Sequence, residues 1–379
     1  MNIALIADWL PTYGGAEHVV SAFHELWPEA PIFTTVAASP EKLGPLSGAD
    51  IRPDKFLQRI YGFTGRHQYL LPWMPRAVER INLEGYDVIL SSSHAVAKGV
   101  IPPQTSVHVC YCHTPMRYAW EMEEEYLKDF RIRGLTRMFV RSELKKIRRW
   151  DLSTARRVDY FIANSNETRL RIERIYGRES TVIPPPVQER FFETGIGNPN
   201  PNPNPYFLAL GRLVPYKRFD LLIEAANKMK FHLKIGGTGT DMARLKKIAG
   251  PTVEFLGFVS DKDLPELYAN ADCLLFPQVE DAGIVPLEAQ ASGIPVIAYA
   301  QGGILDVVTD EKTGLLVPEQ TIEAFASAIE KFRSLSWDSS AIRESARQFS
   351  EENFREKIKQ LVLNIYRLRA HIKTTVISP

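Results

Sequence analysis

The sequence predicts an α/β protein built from two doubly wound parallel-sheet domains. Three observations carry that prediction. Short apolar runs alternate with amphipathic helical stretches along nearly the whole chain, the pattern of open parallel sheets covered by helices on both faces. At 379 residues and 45% hydrophobic, the chain can bury two cores. Near its middle, the tract Asn-Pro-Asn-Pro-Asn-Pro-Asn-Pro over residues 198–205 lacks the apolar side chains and backbone donors that packed structure needs.

The first domain is expected over residues 1–190. It opens with an apolar strand at 3–7 and the turn Gly14-Gly15-Ala16-Glu17. Further strands are expected near 88–90, 107–111 and 161–164, and the pattern runs out around Pro184-Pro185-Pro186. Residues 191–205 read as the interdomain linker. The second domain, 206–350, is expected to carry strands at 206–210, 231–235, 253–256, 273–277 and 295–299, with helical stretches such as 221–229 between them. The tail, 351–379, contains an amphipathic helix candidate at 354–369.

The most informative stretch is Phe276-Pro-Gln-Val-Glu280-Asp-Ala282-Gly283-Ile284-Val-Pro286-Leu-Glu288-Ala-Gln-Ala-Ser-Gly293. Pro286 suits the first turn of a helix and Gly293 its C-terminal stop, so Glu280 falls in the loop and Glu288 on the helix. First-turn amides between them are free to bind an anion such as a diphosphate, while the carboxylates can accept hydrogen bonds from sugar or ribose hydroxyls. Two glutamates eight apart, followed by Ala and a Gly-Ile-Pro-Val strand entry, resemble the signature of the retaining glycosyltransferases of family 4. Two further stretches match that family. Gly211-Arg212-Leu-Val-Pro-Tyr-Lys217 follows the strand at 206–210, and Gly14-Gly15 follows the first strand.

The resemblance covers almost the whole chain, and it implies the GT-B fold, with two domains facing each other across a cleft and the last helix returning to the first domain. It implies that Arg212 and Lys217 bind the donor diphosphate, where a guanidinium fork and an ammonium can neutralise a leaving group without a metal. Gly14 and Gly15 would let amides approach the same diphosphate. Glu288 is the candidate for the ribose hydroxyls and Glu280 for the donor sugar, with the amides of Ala282, Gly283 and Ile284 beside it. Val259, just after a strand, is placed to contact the base. His113, in Cys112-His113-Thr114-Pro115-Met-Arg117-Tyr-Ala-Trp120, matches an active-site histidine of the family; a structural role through its two nitrogens is the alternative. Glu17, Arg117 and Trp120 are the acceptor-side candidates. The implied reaction moves a hexose from a nucleoside diphosphate to a glycan or polyprenyl-linked acceptor with retention, without cofactor or metal. The His-Thr-Pro-Met-Arg-Tyr stretch resembles bacterial mannosyltransferases of O-antigen or exopolysaccharide synthesis, which makes GDP-mannose a candidate donor beside UDP-sugars. A phosphorylase or nucleotide-sugar epimerase on the same fold, or a non-catalytic glycan-assembly subunit, are the rival readings.

Composition narrows the partners. Lys and Arg number 46 against 45 Asp and Glu, so no overall bias towards nucleic acid exists. The opening Met-Asn-Ile-Ala-Leu-Ile-Ala-Asp has no basic leader, and no apolar run is long enough to span a bilayer, so a cytoplasmic location is expected. Cys110, Cys112 and Cys273 suit reduced, buried thiols. Asp261-Lys-Asp263 looks like a metal-binding Asp-x-Asp, but behind Ser260 and ahead of a helical stretch it reads as a capping box. Locally, residues 131–157 are basic, with Arg131, Arg133, Arg137, Arg141, Lys145, Lys146, Arg148, Arg149, Arg156 and Arg157 against Glu143 and Asp151. Such a helix could lie on the anionic inner face of the plasma membrane or be a solvated face over the core.

Overall fold

The computed structural model describes residues 1–121, 123, 134–193 and 205–376. The chain divides into two compact units, Met1–Pro184 with Phe354–Pro379, and Pro185–Asn353. Residues 194–204 of the expected linker, with most of the Asn-Pro tract, lie outside the described residues, as do Arg131 and Arg133.

The first unit holds seven strands, β1 (Ile3–Ala7), β2 (Ile32–Thr34), β3 (Ile51–Pro53), β4 (Val88–Ser93), β5 (Val107–Cys112), β6 (Tyr160–Ala163) and β7 (Ser180–Val182). They lie parallel in the order β3-β2-β1-β4-β5-β6-β7. β1, β4 and β5 are buried along their whole length, which is why β1 and β4 are continuous apolar or small-residue runs; in β5 the buried His108 is hydrogen-bonded. The helix Gly15–Leu26 buries Val19, Val20 and Phe23 against one face of this sheet. The long helix Glu351–Val376 completes that core: its Phe354, Ile358, Val362 and Ile365 are buried, with Phe354 near the rings of Phe23 and Tyr111. Each such side chain contributes about 2 kcal/mol of apolar burial.

The second unit holds six parallel strands, β8 (Phe207–Leu210), β9 (Leu233–Gly236), β10 (Val253–Gly257), β11 (Cys273–Phe276), β12 (Val296–Tyr299) and β13 (Gly314–Val317), in the order β10-β9-β8-β11-β12-β13. Its core has two layers, one against each face of the sheet. The unit begins at Pro185, not at 191 or 206. The reason is packing: Val187 bridges to Ser350, and Phe191 and Phe192 of the helix Glu189–Glu193 are fully buried in the second core.

Four strands go beyond the sequence reading: β2, β3, β7 and β13. Each has only three or four residues, and Ile-Arg-Pro and Ser-Thr-Val carry too little apolar sequence to stand out from a loop. The capping-box reading is also corrected. The helix starts at Leu264 with Asp263 before it, and the Ser260 hydroxyl donates to the Asp263 carboxylate at 2.6 Å instead of accepting from a helix amide. Asp261 lies 3.9 Å from Arg190. The cysteines are free and buried, and burial pushes the Cys110 thiol up to about 12. His108, beside them, meets the Ser91 hydroxyl at 2.8 Å and the Arg157 carbonyl at 3.2 Å.

Candidate functional site

In each sheet the strand order reverses at one place, β1/β4 in the first and β8/β11 in the second. Loops leaving the carboxyl ends of strands diverge at such a point and leave room for a ligand. The sequence-predicted residues gather there in both units.

In the second unit, the loop after β8 carries Arg212 and Lys217, and the loop after β11 carries Glu280. The Lys217 ammonium lies 2.9 Å from Glu280 Oε1, with the side chains 14% and 24% exposed. This pair ties the two loops together while leaving both groups reachable. Arg218 reinforces the junction. It takes a left-handed φ of 54°, and its guanidinium donates to Gln320 Oε1 at 3.1 Å, while the Gln320 amide donates to the Pro277 carbonyl at 2.7 Å. A non-glycine residue held at positive φ is backbone strain, which surrounding contacts must hold in place. Glu280 is fixed from the other side by Gly302 and Gly303. The Gly303 amide donates to the Glu280 carbonyl at 2.9 Å, and a Cβ on Gly302, at φ 83°, would stand 2.6 Å from that oxygen.

Gly283, at φ 67°, caps the helix Ile284–Ala291. Only glycine takes this conformation cheaply, and it turns the unpaired first amides of the helix to the loop side, next to Ala282 and Ile284. Glu288, one turn on, receives the Tyr268 hydroxyl at 2.9 Å. It lines a cavity of about 310 Å³ with Gly211, Arg212, Thr238, Phe258, Val259 and Tyr268. Among the described residues, none pairs with the Arg212 guanidinium at this cavity.

Burial pushes the Glu288 carboxyl up to about 7, against the hydrogen bond from Tyr268. The folded protein thus favours the protonated acid. That stability is fully present below the unfolded value near 4.5 and is lost as pH rises through about 7. From about pH 5 to about pH 8, the melting temperature of wild type should therefore fall by a few degrees more than that of Glu288→Gln. Scanning calorimetry of both proteins checks this, and parallel curves would show that Glu288 does not titrate on unfolding.

In the first unit, Gly14 caps the helix that begins at Gly15, and Glu17 lies buried in its first turn. Burial raises the Glu17 carboxyl above its usual range. His113 follows β5 and meets the Ser92 hydroxyl of β4 through Nε2 at 2.8 Å. Burial, with His94 alongside, takes its imidazole down to about 3, so it is neutral at physiological pH. Two neighbours were not singled out from the sequence. Asp8, directly after β1, is fully buried and accepts amides of His94, Ala95, Val96 and Ala97 at 2.6–3.0 Å. His94, directly after β4, places Nδ1 3.0 Å from Asp8 Oδ2. The available signal was positional, a charged or imidazole residue at the carboxyl end of an apolar strand.

Two acceptor-side candidates sit differently. Trp120 donates its indole N–H to Asp151 Oδ2 at 2.7 Å and so belongs to the buried network around Lys98 and Asp151. Arg117 opens the short helix Arg117–Trp120 and is half-buried. The basic stretch forms the helix Gly134–Thr154 and the turn after it. Several of its cations serve the fold: Arg141 and Arg148 pair with Glu123 at 3.1 Å each, and Arg157 pairs with Glu79 at 2.8 Å. Lys145, Lys146, Arg149 and Arg156 are exposed, together with Met138 and Leu152.

Residues 13–191 match the family model of Glycosyltransferase Family 4, and residues 195–355 match that of Glycosyl transferases group 1. Mannosylfructose-phosphate synthase of Agrobacterium fabrum is 26% identical over 303 residues, 70% of this chain and 63% of that protein. A GDP-mannose-dependent alpha-(1-6)-phosphatidylinositol monomannoside mannosyltransferase of Mycobacterium tuberculosis is 32% identical over 192 residues, 44% of this chain and 50% of that protein. The matches thus span less than two thirds of these relatives' own lengths. Among solved structures, Anabaena Alr3699/HepE in complex with UDP-glucose superposes with a TM-score of 0.69 at 18% identity, over 96% of this chain and 100% of that one. Sucrose-phosphate synthase of Thermosynechococcus elongatus gives 0.70 at 19% identity, over 97% and 100%. The likeness to solved structures gives the chain the GT-B fold, and the two family models together run over nearly its whole length: it belongs to the family 4 type of glycosyltransferases.

Proposed function

We propose that this chain is a retaining, metal-independent glycosyltransferase that moves a hexose from a nucleoside diphosphate to a glycan or lipid-linked acceptor. The observation that carries the reading is the second unit's switch point, where Lys217 and Glu280 pair at 2.9 Å beside Arg212 and a glycine-capped helix start. Two cations and orphan amides suit a diphosphate; two carboxylates suit sugar and ribose hydroxyls. The names of the relatives make GDP-mannose the first donor to try, and the complexes of Alr3699/HepE make UDP-glucose the second.

The test begins with thermal shift of the whole protein against GDP, UDP and ADP, since a ligand that binds the folded state raises its melting temperature. The matching sugar nucleotide should then be consumed faster with a glycan acceptor than without it. Turnover should survive EDTA, and NMR of the product should show the donor's α configuration kept. Strict dependence on manganese or magnesium, or an inverted product, would contradict the mechanism. Equal donor consumption without acceptor would favour an epimerase or a phosphorylase, and no nucleotide binding at all a non-catalytic subunit.

A specific observation supports peripheral attachment to the inner face of the plasma membrane, with the body of the protein in the cytoplasm. Lys145, Arg149 and Arg156 alternate with Met138 and Leu152 along the exposed side of the helix Gly134–Thr154 and its following turn. Among the described residues, no helix is long and apolar enough to cross a membrane. Binding to anionic vesicles should weaken with salt, because these charges act within a Debye length of about 8 Å. A Lys145→Gln, Arg149→Gln, Arg156→Gln variant should sediment less with such vesicles. Equal sedimentation would assign the face to solvent.

A further inference from the structure

Asp8, directly after β1, lies outside the stretches that carry the family resemblance. Asp8 is 2% exposed, and its two oxygens receive four backbone amides from the loop after β4. Burial works to raise its carboxyl, but His94 and these amides outweigh it and bring it down to about 2, so Asp8 is ionised at any physiological pH. The His94 imidazole is an additional partner, with Nδ1 3.0 Å from Oδ2. A carboxylate can only accept, so Nδ1 carries the proton, and in the neutral ring Nε2 keeps its lone pair.

The ring is held but not enclosed. The His94 side chain remains 29% exposed. Trp9 stands edge-on at 4.8 Å between ring centres, with His67 at 4.9 Å beyond it, and the His113 ring lies 6.0 Å away. Among the described residues, none takes a hydrogen bond at His94 Nε2. The titratable groups around the imidazole are Asp8, Glu17, His67 and His113. Burial would lower its pKa, and Asp8 overrides this to raise it above the usual histidine value.

Resting on the glycosyltransferase reading and deepening its acceptor side, we propose that His94, oriented by Asp8, is a hydroxyl-binding residue of an acceptor-sugar subsite. Its Nε2 accepts the hydrogen bond of a hexose hydroxyl, Glu17 offers a second polar contact, and the Trp9 ring supplies an apolar wall. The site works while His94 is neutral and loses its acceptor when Nε2 takes up a proton. Acceptor binding therefore strengthens as pH rises through the raised pKa of His94.

Histidine-labelled protein, titrated with octyl α-D-mannopyranoside in the presence of GDP, tests this by long-range 15N NMR. The His94 signals should show the Nδ1–H tautomer, and Nε2 should shift as the mannoside is added. In transfer assays, His94→Phe keeps a ring beside Trp9 but removes both nitrogens. It should raise the acceptor KM about tenfold, the effect of one lost hydrogen bond, with the donor KM unchanged. The wild-type acceptor KM should rise at acid pH, and that of His94→Phe should not. An Nε2–H tautomer, a His94 signal unmoved at the highest soluble mannoside concentration, or an unchanged acceptor KM would each overturn the proposal. Failure of the donor reading is separately visible: GDP, UDP and ADP would then leave the melting temperature unmoved, while the mannoside arm would still report on His94.

Discussion

Alanine in place of Arg212 or Lys217 should lower turnover by about 10²-fold or more, because in the proposed reaction each cation stands where charge develops on the leaving diphosphate. Folding should be spared. Arg212 is exposed, and the Lys217–Glu280 pair is a loop contact between partly exposed groups, so neither change opens a buried cavity. The two variants should nevertheless differ. Lys217→Ala also frees Glu280, which loses its 2.9 Å partner, so donor-sugar selectivity should relax in that variant while Arg212→Ala weakens nucleoside diphosphate binding without it. Steady-state kinetics with donor and competing nucleotide, alongside calorimetry, separates these outcomes. Unchanged kinetics in either well-folded variant would remove that residue from the donor site.

The second large effect is on stability. Lys98 and Asp151 form an ion pair at 2.5 Å with 2% and 0% of their side chains exposed. Trp120 and Tyr176 donate to the other carboxylate oxygen at 2.7 and 2.9 Å, and the ammonium lies over the rings of Trp150 and Tyr176. Removing one charge strands the other in a buried site, so Lys98→Met should cost about 3–5 kcal/mol. For a unit of this size that corresponds to a melting temperature lower by roughly 10 °C. Asp151→Asn keeps an acceptor for Trp120 and Tyr176 but strands the ammonium, and should be similarly destabilised. Thermal unfolding of the two variants checks the prediction, and a change under about 1 kcal/mol in both would mean the network is hydrated.

The residues proposed for the donor were legible because they lie close together in sequence. Glu280, Gly283, Pro286 and Glu288 fall within a strand, a turn and one helix, so spacing alone fixes which face each side chain takes. Lys217 was legible as a cation near a strand end, but its pairing with Glu280 was not. The central strands were legible for a related reason: burial on both faces leaves continuous apolar runs in β1, β8 and β11. The edge strands β3 and β7 lacked that signal, because an edge position asks less of its side chains.

Other features depended on which distant segments meet. The chain alone could not show that Phe191 and Phe192 belong to the second core, or that the Trp120 indole N–H donates to Asp151. Nor could it show that Arg141 and Arg148 share Glu123, or that Asp8 holds His94. The sequence by itself determined the two parallel sheets, the family and the residues around Glu280 and Glu288, since propensity, periodicity and turn chemistry act over a few residues. Only the tertiary structure decided the unit boundary, the partners of the buried charges and the Asp8–His94 pair. Those depend on contacts across tens of residues of chain, and a pattern read along the sequence has no term for which of many compatible partners the fold brings within hydrogen-bond distance.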